Sequence, residues 1–71
     1  MEGYQSYLFR IRCQSKGINE TPNKHCRGDN DAMELAKKYV RLYPVGTTIK
    51  VYHVADVDGR ETKNYIGMVE H

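Results

Sequence analysis

DNDAMELAKKYVRLYPVG, residues 29–46, is the stretch that decides the fold. Ala32, Leu35, Ala36, Tyr39, Val40 and Tyr43 recur at i, i+3, i+4, i+7, i+8 and i+11, which draws one apolar stripe along a helix. Glu34, Lys37, Lys38 and Arg41 fall outside that stripe, and Glu34 precedes Lys38 in the favourable i,i+4 order. Asp29, Asn30 and Asp31 supply N-cap oxygens, and Asp31 with Glu34 has capping-box spacing. Acidic residues also suit the positive end of the helix dipole. Pro44 stops the helix and Gly46 turns the chain. The pattern predicts a helix from Asp31 to Tyr43. Its apolar stripe must be buried, and the flanking segments supply the surface.

Downstream, Thr47 to Ala55 is rich in β-branched residues, and Arg60 to Glu70 follows the two-residue hairpin signal Asp58-Gly59. A turn at Asp58-Gly59 sets Val57 opposite Arg60 and predicts the pairs Tyr52–Tyr65, Val51–Ile66 and Ile49–Met68. Ile49, Val51, Ile66 and Met68 then share one side and match the helix stripe as a core. Lys50, Tyr52, Val54, Lys63 and Tyr65 share the other side. A slip of one residue would scramble this sorting.

Upstream, Tyr7, Phe9, Ile11 and Cys13 alternate with Leu8, Arg10, Arg12 and Gln14, the period of a strand with one apolar and one largely basic face. Ser15 to Asn23 (SKGINETPN) reads as a loop. Lys24 to Arg27 reads either as a short strand returning along the first or as a continuation of that loop. Pro22 would stand at the start of such a strand, where a missing N–H does least harm. The expected fold is α+β: a three- to four-stranded, mainly antiparallel sheet with one amphipathic helix packed on one face. The element order is ββαββ with the short strand and βαββ without it. Many small α+β modules share that layout, ribosomal and phage-encoded ones among them, and a layout alone carries no function.

Seventy-one residues make one domain, 1–71, which buries only ~60% of the surface its unfolded chain exposes. Apolar residues are 39% of the chain and mean hydropathy is −0.74, so the core is small and dimerisation is an open option. Net charge is +2 and the pI about 8.6, below the value of roughly 9 that marks a committed nucleic-acid binder. The arrangement of charge therefore matters more than its sum. No run approaches the ~18 apolar residues of a membrane span. Met1-Glu2-Gly3-Tyr4 lacks the features of a signal peptide, so a cytoplasmic location and free Cys13 and Cys26 thiols are expected.

One helix covers one side of a sheet. The uncovered side is expected to show Arg10, Arg12, Lys50, Tyr52, Lys63 and Tyr65, joined by His25 and Arg27 if the short strand turns Cys26 inward. Rings flanked by cations suit single-stranded nucleic acid, in which unpaired bases stack and phosphates seek charge. The same face also reads as an ordinary solvated surface with one stabilising cross-strand tyrosine pair.

Other constellations point nowhere specific. Cys13, His25, Cys26 and His53 lack the close ligand pairs of a zinc site, and adjacent His25 and Cys26 on a strand would face opposite ways. The same geometry disfavours a Cys–His dyad. Asp56, Asp58, Gly59 and Glu61 form only a fragment of a calcium loop, and turn formation accounts for them. Arg27-Gly28-Asp29 spells an adhesion tripeptide, but a chain break and a helix cap explain it as well.

The sequence thus predicts a non-enzymatic interaction module, of an accessory, regulatory or inhibitor kind. It would bind a protein partner or itself through an open sheet face or edge, with no cofactor, no metal, no membrane and no small-molecule substrate. The alternative is single-stranded or structured nucleic-acid binding through the basic and aromatic face.

Overall fold

A computed structural model describes residues 3–71. Those residues form strands β1 (Gln5–Cys13), β2 (Ile18–Glu20) and β3 (Asn23–Cys26), helix α1 (Asp29–Val40), and strands β4 (Thr48–Val57) and β5 (Arg60–Glu70). The α+β class and the antiparallel pairing are as the sequence predicts. The strand count is not, because five strands occur and the order is βββαββ.

The extra strand lies inside the expected loop. Gln14–Lys16 makes one 3₁₀ turn that ends at Gly17, whose φ of 68° is the left-handed value glycine adopts without a Cβ penalty. That reversal lays Ile18–Glu20 back along Ile11–Cys13. The chain then steps round Pro22, whose carbonyl accepts the Phe9 N–H at 3.0 Å, and β3 pairs with Gln5–Leu8. One edge of β1 is thus shared by two short strands. Its other edge pairs with β4, and β5 completes the sheet beyond β4.

The helix packs over β3, β4 and β5 on the inner face. Ala32, Ala36 and Val40 are buried there against Tyr7, Phe9, Ile11, Cys26, Ile49 and Val51, with Leu35, Tyr39 and Tyr43 packed at the margin. The helix starts and stops earlier than the stripe predicts. Gly28 occupies the N-cap position without a side-chain cap. Asp31 accepts the Arg27 N–H at 3.1 Å, and Asp29 accepts the Tyr7 hydroxyl at 2.8 Å. Both carboxylates therefore tie the helix start to the preceding chain instead of forming the expected capping box. Glu34 pairs with Lys37 at 2.9 Å, not with Lys38. Past Val40 the backbone tightens into turns, with the Leu42 and Tyr43 N–H groups bonding the Tyr39 and Val40 carbonyls, and Leu42 is left 78% exposed.

The Asp58-Gly59 hairpin forms as predicted, with φ of 52° and 77° at the two turn residues, the paired positive values of a type I′ turn. Register holds from Val57–Arg60 to Tyr52–Tyr65 and then shifts by one. A bulge leaves Ile66 without a partner, so Val51 faces Gly67, Lys50 faces Met68 and Ile49 faces Val69. The expected pairs Val51–Ile66 and Ile49–Met68 are therefore wrong. Ile66 still packs on the core, joined by Val69, while Met68 turns outward and is 42% exposed. The inward slot at Gly67 is filled by Met33, whose Cε lies 2.9 Å from where a Cβ would stand. A glycine opposite the helix makes room for that side chain.

Candidate binding face

Alternation along β1 and β4 sends every second residue to the outer face, which α1 does not cover. Arg10 on β1 stands directly opposite Lys50 on β4, and Arg12 stands opposite Thr48. Leu8 faces Tyr52 across the same pair of strands. On the next strand Tyr65 faces Tyr52, the rings meeting edge to face with centroids 5.6 Å apart and planes at 63°. Lys63 sits two pairs nearer the hairpin end, opposite Val54. All six residues singled out from the sequence thus occupy one face.

Cross-strand neighbours of like charge repel. Arg10, Arg12 and Lys50 gather without a carboxylate within ion-pair distance among the described residues, where the pairs formed are Lys37–Glu34 and Lys63–Glu61, the latter at a loose 3.7 Å. Tyr65 is 58% exposed and Tyr52 is half-buried. One shallow trough is lined by Arg12, Arg10, Thr21, Leu8, Tyr52 and Lys63, so it joins the cations to a tyrosine ring. A second hollow beside it is lined by Arg10, Arg12, Thr48 and Lys50.

Leu8 and Met68 also belong to this face, and sequence reasoning did not single them out. Leu8 was placed on the largely basic side of β1 without a role, and Met68 was assigned inward. His25 lies outward opposite Ser6 on β1, toward the hairpin end of the sheet. Arg27 does not join the cluster, because it lies beyond β3 with its guanidinium 5.5 Å from the centre of the Tyr4 ring. Acidic residues frame the face at both ends: Asp56 and Glu61 face each other near the hairpin turn, and Glu70 lies opposite Thr48.

The inner face holds the remaining reactive groups. Cys13 and Cys26 are free and buried. They mark opposite ends of β1, since Cys26 pairs with Gln5, which puts them about 26 Å apart along the strand. No disulfide can span that gap. Burial pushes the Cys26 thiol up, with nearby Asp31 adding to the effect, while hydroxyl contacts from Ser15 and Thr47 hold the Cys13 thiol down. His53 lies opposite Tyr7, with ring centroids 5.2 Å apart. β1 runs between β3 and β4, so the Tyr7 strand separates Cys26 from His53. Tyr7 itself is wholly buried, and burial together with its bond to Asp29 pushes its hydroxyl up to about 12. The same bond binds the aspartate of the Arg27-Gly28-Asp29 tripeptide to the core. Among the described residues no three His, Cys, Asp or Glu side chains converge on a metal-sized site, and no helix is long and apolar enough to cross a membrane.

Comparison with protein-family models, with curated proteins and with solved structures finds no match to this chain.

Proposed function

We propose that this chain is a small non-enzymatic interaction module and that its working surface is the outer face of the sheet. One observation carries the reading. Among the described residues, three cations stand together without carboxylate partners, beside a tyrosine pair of which Tyr65 is exposed, on a face that α1 does not cover. Placing Arg10 opposite Lys50 weakens the sheet by a few tenths of a kcal/mol. An arrangement that opposes folding fits a surface that gains from a partner. The alternative docking surface, the free edge of β5, is a poorer template for strand addition, because the bulge at Ile66 breaks its ladder.

The test is recovery of partners from an extract of the cells that make the protein. Tagged wild-type protein is expected to retain a partner, and Arg10→Glu with Arg12→Glu and Tyr65→Ala is expected to lose it. Lys37→Ala with Arg41→Ala, on the helix side, should retain it. The opposite pattern, with loss from the helix-side variant and retention by the face variant, would refute the reading.

A further inference from the structure

We infer that the partner of this face is a single-stranded polynucleotide, held along the trough from Arg12 to Lys63. The inference rests on the outer face being the working surface, and it adds the chemistry of the occupant.

Charge complementarity comes first. Among the described residues Arg10, Arg12 and Lys50 form a patch without internal neutralisation, and an anion is the occupant that relieves it. The patch opens into a trough, not a closed pocket. From the Arg12 level to the Lys63 level the trough follows six residue steps of β4, about 20 Å, which suits an extended polymer better than a small anion. An acidic peptide would satisfy the cations equally well. The tyrosines decide against it. Tyr52 lines the trough between the cation cluster and Lys63, and the exposed ring of Tyr65 stands against it on β5, so a strand that lays phosphates at both ends brings a base over the pair.

The same features choose single strands over duplex. Bases in a duplex are stacked on each other and cannot lie on a tyrosine. A duplex surface also rewards many phosphate contacts, and this face offers three or four cations between acidic ends. The rings meet edge to face and Tyr65 is the more exposed of the two, so one ring and not two is offered to a base. A short footprint of about four nucleotides follows, at the low end of the range for single-strand binders, and little base preference is expected from stacking alone.

Fluorescence anisotropy with labelled 12-mers of deoxythymidine and of uridine, and with a mixed-sequence duplex, tests this at low and high salt. Both single strands are expected to bind, with the logarithm of affinity falling by about 2–3 per decade of salt. Unequal affinity for the two would assign the polymer to DNA or to RNA. The duplex should bind at least roughly tenfold more weakly. Tyr65→Ala should weaken binding about fivefold or more, and Tyr52→Ala less. Lys50→Glu separates function from folding. It removes the repulsion with Arg10 and should raise the melting temperature by about 2–4 °C while weakening binding at least about tenfold. Absence of single-strand binding at low salt, equal affinity for duplex, or unchanged binding by Lys50→Glu would overturn the proposal. If the 12-mers fail to bind but a protein recovered from extract is lost by the face variants, the face survives as the working surface and the polynucleotide does not.

Discussion

The two faces of the sheet are written in the same strands and have opposite chemistry. On β1, Tyr7, Phe9 and Ile11 are wholly buried, while Leu8, Arg10 and Arg12, which alternate with them, stay at least partly open. On β4, Ile49 and Val51 are buried, and Lys50 and Tyr52 lie outward. One face is closed by a helix and satisfied by packing. The other collects like charges and a tyrosine pair that α1 does not cover. Stability and recognition are therefore expected to separate by residue parity, and substitutions on the two faces should fail in different ways.

The largest effect should come from Phe9→Ala, which empties a fully buried site packed edge-on against Tyr39 at 6.1 Å. A loss of about 3–5 kcal/mol is expected, read by denaturant titration. A loss near that of an outer-face alanine would erase the contrast. Next come two adjacent lysine substitutions on β5. Val69→Lys puts a charge against the core and should destabilise by about 2 kcal/mol or more, whereas Met68→Lys should be close to neutral. The reverse order would mean that the bulge is absent and that the simple hairpin register continues.

Tyr7→Phe removes the hydroxyl that Asp29 accepts and should lower stability by about 1–2 kcal/mol. It also carries a pH signature. The hydroxyl is raised to about 12 in the folded protein from an ordinary value of about 10. The unfolded chain therefore loses the proton first. The contribution is complete below pH 10 and fades as pH rises toward 12. Melting temperature should drop across that window in the wild type, and less in Tyr7→Phe. An equal drop in both would assign it to other groups. The smallest effect is expected from Gly67→Ala. Its Cβ meets only the mobile end of Met33, and alanine favours an extended chain over glycine, so stability should stay within about 0.5 kcal/mol. Gly67→Val should do worse, unless Met33 is shortened at the same time.

Where spacing carried the signal, the fold was legible. The stripe from Ala32 to Val40, the alternation in β1 and the Asp58-Gly59 turn each predict an element that forms. The six outer-face residues followed from those patterns alone. Features that depend on a distant contact were not legible. Ile18–Glu20 is too short for any period to register, and it becomes a strand because Gly17 aims it at β1. The bulge goes with a contact between Met33 and Gly67, 34 residues apart, which no local pattern encodes. Pro44 marked where a helix must have ended but not where it did end, since Arg41 to Tyr43 had already tightened into turns. Thr47 is buried, and its carbonyl accepts the His71 N–H at 2.9 Å, a contact across 24 residues that no local pattern announces.

The placement of β1 at the centre of the sheet has a kinetic consequence. Its partners on β4 lie roughly 40 residues further along the chain, a separation that slows folding through the entropy of closing so large a loop. The β4–β5 hairpin, closed by two residues, can assemble within microseconds and wait. Docking of β1 onto that hairpin is therefore the expected rate-limiting event. Until it happens, Tyr7, Phe9 and Ile11 remain wet, and refolding yield should decline as protein concentration rises.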